Sequence, residues 1–366
     1  MPRFIKGLEL SRLYFEQVVK PILENHDKNL NYAAGLIGHG SEVLGFDDSM
    51  STDHDWGPSV TIFLSDDNAH LIFGIDELMR YDLPHHFKGY STNFIYSPET
   101  PDARVMAITT RGAVNHQVKA VTLRDYFMRL LAWDIDTRPD VIDWLTFPSQ
   151  KLKAVTSGAV FHDGDGDLTH IRARLAWYPD DVWLYLMAAQ WNRISEEEHL
   201  MGRTGYRGDE IGATIIANRI ISDVIRLCFL MEGEYAPYAK WFGTAFQQLD
   251  CATALSPMLR QMQLAENWQE RETAYAHIVE FMIDSHNQLK ITRRLPVRMR
   301  KFHTRPFQVA DGGTIAAQIS AQITDDAVRS LLDLPSPIGS IDQISDETTL
   351  KEFVAWREKL RQLYLI

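Results

Sequence analysis

Cysteine is scarce. The 366 residues hold two, Cys228 and Cys251, and no C-x-x-C pair, which excludes a thiolate zinc site and a disulfide framework. Long apolar runs are missing as well. The densest, Val182 to Trp191, is about half the length of a membrane span. The first residues, MPRFIKGLELSRLYFEQ, lack an apolar stretch followed by a small-residue cleavage site, so no secretory signal is read. The default expectation is therefore a cytoplasmic soluble protein with no membrane partner. Positive charge is in deficit: 37 basic against 49 acidic side chains leave a net charge of -12. That argues against nucleic acid as a partner, since backbone binding needs a field of Lys and Arg. G-x-G-x-x-G and G-x-x-x-x-G-K-[ST] do not occur, so neither a Rossmann nor a P-loop site is supported.

What is present is an ordinary globular balance, 45% hydrophobic and 23% charged, at a length that suits two domains. The first 25 residues read as a helix, with Leu10, Leu13, Tyr14 and Val18 at helical spacing and a break or end at Pro21. Residues 32–38 read as a strand, 41–46 as the start of a short helix, and the chain from Asp53 as extended, interrupted at Gly57-Pro58. A helix over 71–83 and strands over 91–96, 104–110 and 116–123 follow. Strand-like alternation then fades. Helices are expected over 180–199, 209–232, 235–249, 267–288 and 347–365, with a loop over 333–347. The fold class expected is α+β: a small mixed-sheet domain over 1–135, then an all-helical domain over 136–366 that completes a cleft.

The chemistry concentrates in GHGSEVLGFDDSMSTDHDWGP, residues 38–58. A Gly-Ser turn, Gly40-Ser41, lets backbone approach a phosphate and offers a hydroxyl and N–H donors. Asp53 and Asp55, two apart, share a face if they lie on a strand. Two such carboxylates repel unless a divalent cation lies between them, and hard oxygen ligands suit magnesium. Together these parts suit nucleotidyl transfer, in which metal ions clamp a triphosphate for in-line displacement of pyrophosphate. The plainer alternatives are a turn at 53–55 and an N-cap at Ser41. His54 is expected to pack in the core, and Asp47 and Asp48 to be loop acids.

Gly-Ser followed after 11 residues by acid-x-acid resembles the DNA polymerase β-like nucleotidyltransferase superfamily. The longer string, with YPDDVWLYLMAAQW, GRTGYRGDEIG and YAPYAKWFGTAF, resembles a bacterial domain-of-unknown-function family of predicted nucleotidyltransferases, over residues about 5–250. The resemblance implies a nucleoside triphosphate donor, ATP by preference, a magnesium cofactor and an acceptor hydroxyl that the sequence does not identify. It implies Asp53 and Asp55 as catalytic metal ligands, and Gly40 and Ser41 at the nucleotide. Similar two-domain transferases also use a cation from the helical domain. Lys240 fits that role, or is a surface lysine lying over aromatics.

The sequence departs from the superfamily pattern at the third carboxylate. Between Glu77 and Asp125 the acids are Asp82, Glu99 and Asp102, all in loop-like contexts, and the mid-strand charge in HQVKAVTL is Lys119. This leaves alternatives open: a catalytically weakened nucleotide-binding sensor, or a helical interaction protein with a vestigial transferase domain. Arg219 and Arg226, with Asp223 between them, read as a buried ion-pair network or as an anion-binding face. Asp180 and Asp181 read as helix-start residues or a base for the acceptor. DGDGDL (163–168) has Leu168 where a calcium loop needs glycine and reads as a polar turn.

Overall fold

The computed structural model describes residues 3–100, 102–334 and 337–365. The chain divides into two compact units. A sheet unit comprises Met1–Arg138 and Lys151–Ala176, and a helical unit Pro139–Gln150 and Trp177–Ile366.

The sheet unit begins with α1 (Gly7–Tyr14), a π turn (Phe15–Val19) and α2 (Lys20–His26). Pro21 does not stop this run: it lies in the first turn of α2, and the widened turn before it absorbs the missing N–H. Next come β1 (Ala33–Leu36), α3 (Ser41–Leu44), β2 (Ser59–Leu64), α4 (Ile72–Asp82), two small hairpins and β7 (Gln117–Thr122). The hairpins are β3 (His86–Phe87) with β4 (Tyr90–Ser91), and β5 (Phe94–Tyr96) with β6 (Arg104–Met106). The main sheet has the order β7-β2-β1-β8, with β2 and β7 parallel and the other pairs antiparallel.

One face carries Ala34, Val60, Ile62, Leu64 and Val118, buried against Leu10, Tyr14, Val19 and Leu23 of the N-terminal helices and Ile75 and Met79 of α4. On the other face Phe63 meets Tyr126 of α5 (Leu123–Leu131) edge-on at 5.0 Å. Directly paired residues share a face. Gly35, Thr61 and Lys119 therefore form one row on that second face.

The division expected at 135/136 is less simple in the structure. The sheet unit pauses at Arg138, α6 (Val141–Thr146) belongs to the helical unit, and the change back falls within α7 (Ser149–Thr156). The chain then supplies β8 (Ala159–Asp163), paired with β1, and α8 (Asp167–Arg174). β8 shows no burial alternation, all five residues being half-buried, so its sequence carries no period-two signal. DGDGDL is the polar turn expected: Asp163 Oδ2 accepts from the Thr169 N–H and hydroxyl.

The helical unit is built on α9 (Asp180–Tyr206) and α10 (Glu210–Met231), followed by α11 (Phe242–Phe246), α12 (Ala252–Leu264) and α13 (Trp268–Leu289). Its all-helical description needs one correction, a two-residue ladder of β9 (Arg300–Lys301) with β10 (Gln308–Val309). α14 (Gly312–Ser320) and α15 (Asp326–Ser330) follow. Within the loop expected over 333–347, residues 335 and 336 lie outside the described residues. Its second half is α16 (Ile341–Ile344), opened by a Ser340–Gln343 capping box and with Ile341 and Gln343 buried. The helix expected over 347–365 is broken into α17 (Thr348–Glu352), a 3₁₀ turn (Val354–Trp356), α18 (Arg357–Arg361) and a second 3₁₀ turn (Gln362–Tyr364). Among the described residues no helix is long and apolar enough to cross a membrane.

Candidate functional site

Gly40 has φ +137°, a conformation that disfavours any side chain, and the reason lies two residues on. A Cβ at Gly40 would fall 2.4 Å from Glu42 Oε1, and one at Gly7 would fall 2.6 Å from Glu42 Cβ. Two glycines thus make room for one glutamate. Ser41 is the first residue of α3 and does not cap it: the capping position is Gly40, which has no side chain to do so. Gly45 closes the turn in the left-handed conformation.

Asp47 is a loop acid as expected, but a buried, structural one. Its Oδ2 accepts from Gly7 N at 2.6 Å and from Trp56 Nε1 at 3.1 Å, and Lys6 Nζ stands 3.4 Å from Oδ1. Asp48 caps the 3₁₀ turn Ser49–Asp53 through the Met50 N–H. These two residues pin the start of α1 and the approach to Asp53.

Asp53 and Asp55 do not lie on β2, which starts at Ser59. Asp53 ends the 3₁₀ turn, and its carboxylate takes the His54 N–H and stands 3.0 Å from His54 Nδ1. His54 is exposed, contrary to the core position expected. Asp55 has φ +50° and is stitched to β6: its N–H donates to Arg104 O at 2.7 Å, and its Oδ1 accepts from Arg104 N at 2.9 Å. The Asp53 carboxylate closes a local bond to the next N–H and Asp55 pairs with the distant Arg104 backbone, in place of an extended ladder, and Gly57-Pro58 delays the strand. The i, i+2 alternation of a strand therefore does not relate these carboxylates.

Glu42 is the residue that sequence reasoning missed. Its carboxyl is pushed up to about 7, first by burial and further by the carboxylates of Asp47 and Asp55, while Lys119 pulls it back. Glu42 thus feels the charge of both Asp55 and Lys119. The signal was the acid next to Ser41, which reads in sequence as an ordinary helix former. Among the described residues, no group of three or more His, Cys, Asp or Glu is disposed to hold a metal ion.

The remaining candidates lie in the helical unit. Lys240 is on a 3₁₀ turn (Ala239–Trp241), exposed, with Nζ 4.8 Å from the Trp241 ring. The helix expected over 235–249 starts only at Phe242. Arg226 joins the network expected around Asp223, with Arg193 as a further member at 2.9 Å, whereas Arg219 pairs with Glu197. Asp181 accepts from Thr324 N, Thr324 Oγ1 and Asp325 N, which makes it a staple to the turn before α15.

Residues 144–242 match a domain of unknown function (DUF4037). This stretch includes Arg219, Arg226 and Lys240, and excludes Gly40, Ser41, Asp53 and Asp55. The chain is also similar to a solved nucleotidyltransferase-like protein from Exiguobacterium sibiricum. The identity is 13%, over 79% of this chain and 83% of that one, with a TM-score of 0.32. No curated protein matches the chain.

Proposed function

We propose that the sheet unit binds a nucleoside triphosphate, ATP by preference, together with magnesium, and transfers its nucleoside monophosphate to an acceptor hydroxyl. The observation that carries this reading is that the buried Glu42 carboxyl, folded against Gly40 next to Ser41, feels the charge of both Asp55 and Lys119. Acid, cation and a phosphate-accessible Gly-Ser turn belong to one patch of one unit.

In this reading a magnesium ion would arrive with its nucleotide. A resident ion would need a fuller oxygen set than two aspartates, whereas magnesium commonly takes one or two carboxylates and completes its shell with water and phosphate oxygens. Asp53 and Asp55 would hold it, and it would supply charge neutralisation at the attacked phosphorus. Gly40 and Ser41 would bind phosphate oxygens through the backbone and hydroxyl. Lys240 remains a proposed triphosphate contact on its sequence context alone. The test is ATP affinity with and without magnesium. Affinity that rises with magnesium in wild type and loses that rise in Asp53→Asn and Asp55→Asn supports the reading. Identical affinities in all three proteins contradict it.

A second reading, nucleotide binding without transfer, draws on two observations. Lys119 occupies a mid-strand position where a third acid is expected, and one oxygen of Asp55 already takes the Arg104 N–H. Magnesium-dependent ATP affinity with no pyrophosphate release would favour it.

A further inference from the structure

The helical unit encloses a cavity of about 230 Å³ that plays no part in the transfer proposed above. Tyr178, Tyr235, Phe229 and Phe242 give it aromatic walls. Tyr178 and Tyr235 meet edge-on at 5.0 Å, and Phe229 and Phe242 lie 5.5 Å apart. The volume is below the roughly 300 Å³ at which drug-sized pockets begin. That volume suits a single-ring molecule.

The charged lining says which single-ring molecule. Arg226, 15% exposed, is fixed from within: Nη1 donates to Ser222 Oγ at 3.2 Å and stands 3.5 Å from Asp223 Oδ1, and the guanidinium lies 5.7 Å from the Phe242 ring centroid. Its outward Nη2 is held by Asp346, which is 78% exposed. Asp223 does not depend on Arg226 alone, because Arg193 and Gln190 also bond it.

We propose that this cavity binds a small, flat, ring-bearing carboxylate. Its acid group replaces Asp346 on Arg226, and its ring lies against the aromatic walls. Asp346 then acts as an internal stand-in for the ligand. The energetics favour this exchange. Asp346 is already mostly hydrated and returns to water at little cost, whereas Nη2 of the mostly buried Arg226 would be left without an acceptor. An incoming carboxylate restores the charge-assisted pair at Nη2.

An organic cation on Asp342 fails on the same reasoning. Asp342 holds Lys351 at 3.6 Å and takes the Ser149 N–H at 2.7 Å, and both charged side chains are largely buried. Displacing Lys351 would strand a buried ammonium.

The probe is anthranilate, titrated into the full-length protein by calorimetry, with 2-aminobenzamide as the uncharged isostere. Asp346→Asn removes the competing carboxylate and is expected to tighten anthranilate by roughly two- to fivefold, the worth of an exposed ion pair. Arg226→Gln is expected to abolish binding, and the amide to bind neither wild type nor D346N. The proposal is overturned by any of four results: no anthranilate binding to wild type or D346N, an affinity in D346N no tighter than in wild type, retained binding in R226Q, or equal binding of acid and amide. D346N changes an exposed side chain, so the proposal stays testable even if R226Q does not fold. Neither outcome depends on whether the sheet unit transfers nucleotides.

Discussion

Glu42 concentrates the electrostatic tension of the sheet unit in one side chain. It is 7% exposed, and its neighbours Asp47 and Asp55 share its sign. With a folded pKa of about 7 against an ordinary 4.5, the unfolded chain gives up this proton first as pH rises. The folded state therefore loses stability between about pH 4.5 and 7, and the loss is constant above that window. The shift corresponds to about 3 kcal/mol. Glu42→Gln keeps the shape without the charge. Urea unfolding of this variant is expected to match wild type near pH 4.5 and to show a more stable protein at pH 8, by up to about 3 kcal/mol. A difference that does not change with pH would contradict the burial argument. At the same patch, Lys119→Glu adds the missing third acid. It is expected to strengthen magnesium-dependent ATP binding, measured by calorimetry, and no change would place Lys119 outside the site.

At the scale of elements, the turn from β1 into α3 shows how a site segment is shaped by what it must accommodate. Gly40→Ala is expected to lose about 1–3 kcal/mol in denaturant unfolding from its positive φ, with a smaller steric part because the new Cβ displaces the end of the Glu42 side chain. The double variant Gly40→Ala/Glu42→Ala should recover the steric part and keep the backbone part. Full recovery would mean that the left-handed conformation costs nothing. Long periodic elements were legible in the sequence: α4, β2, β7, α9 and α10 lie where their patterns indicate, because each buries a continuous apolar face. The segment 47–57 was not. Its conformation is set by side chain–backbone bonds of Asp47, Asp48, Asp53 and Asp55 to specific partners, two of which, Gly7 and Arg104, are far off in sequence. Hydrophobic periodicity carries no information about such bonds. The acids Asp53 and Asp55 could be named from composition and spacing, but their geometry could not.

At the scale of the molecule, two units with separate cores carry two separate proposals. Fold class was readable from the loss of alternation after Leu123, whereas the return of the chain through β8 was not, since a short half-buried strand has no period. Ligands should report the division. In hydrogen exchange of the full chain, magnesium–ATP is expected to slow exchange around Gly40 and Asp55, and anthranilate to slow it around Arg226 and Tyr235. Each ligand protects the residues it contacts and the elements that unfold with them. Protection of the same segments by both ligands would contradict two independent sites. The central claim is transfer by the sheet unit, and its most direct measurement is pyrophosphate release from ATP and magnesium by wild type and Asp55→Asn, with a panel of small hydroxyl-bearing acceptors. The expected result is acceptor-stimulated release by wild type that falls by about two orders of magnitude or more in D55N, as for loss of a group that stabilises transition-state charge. Equal release by the two proteins would contradict it.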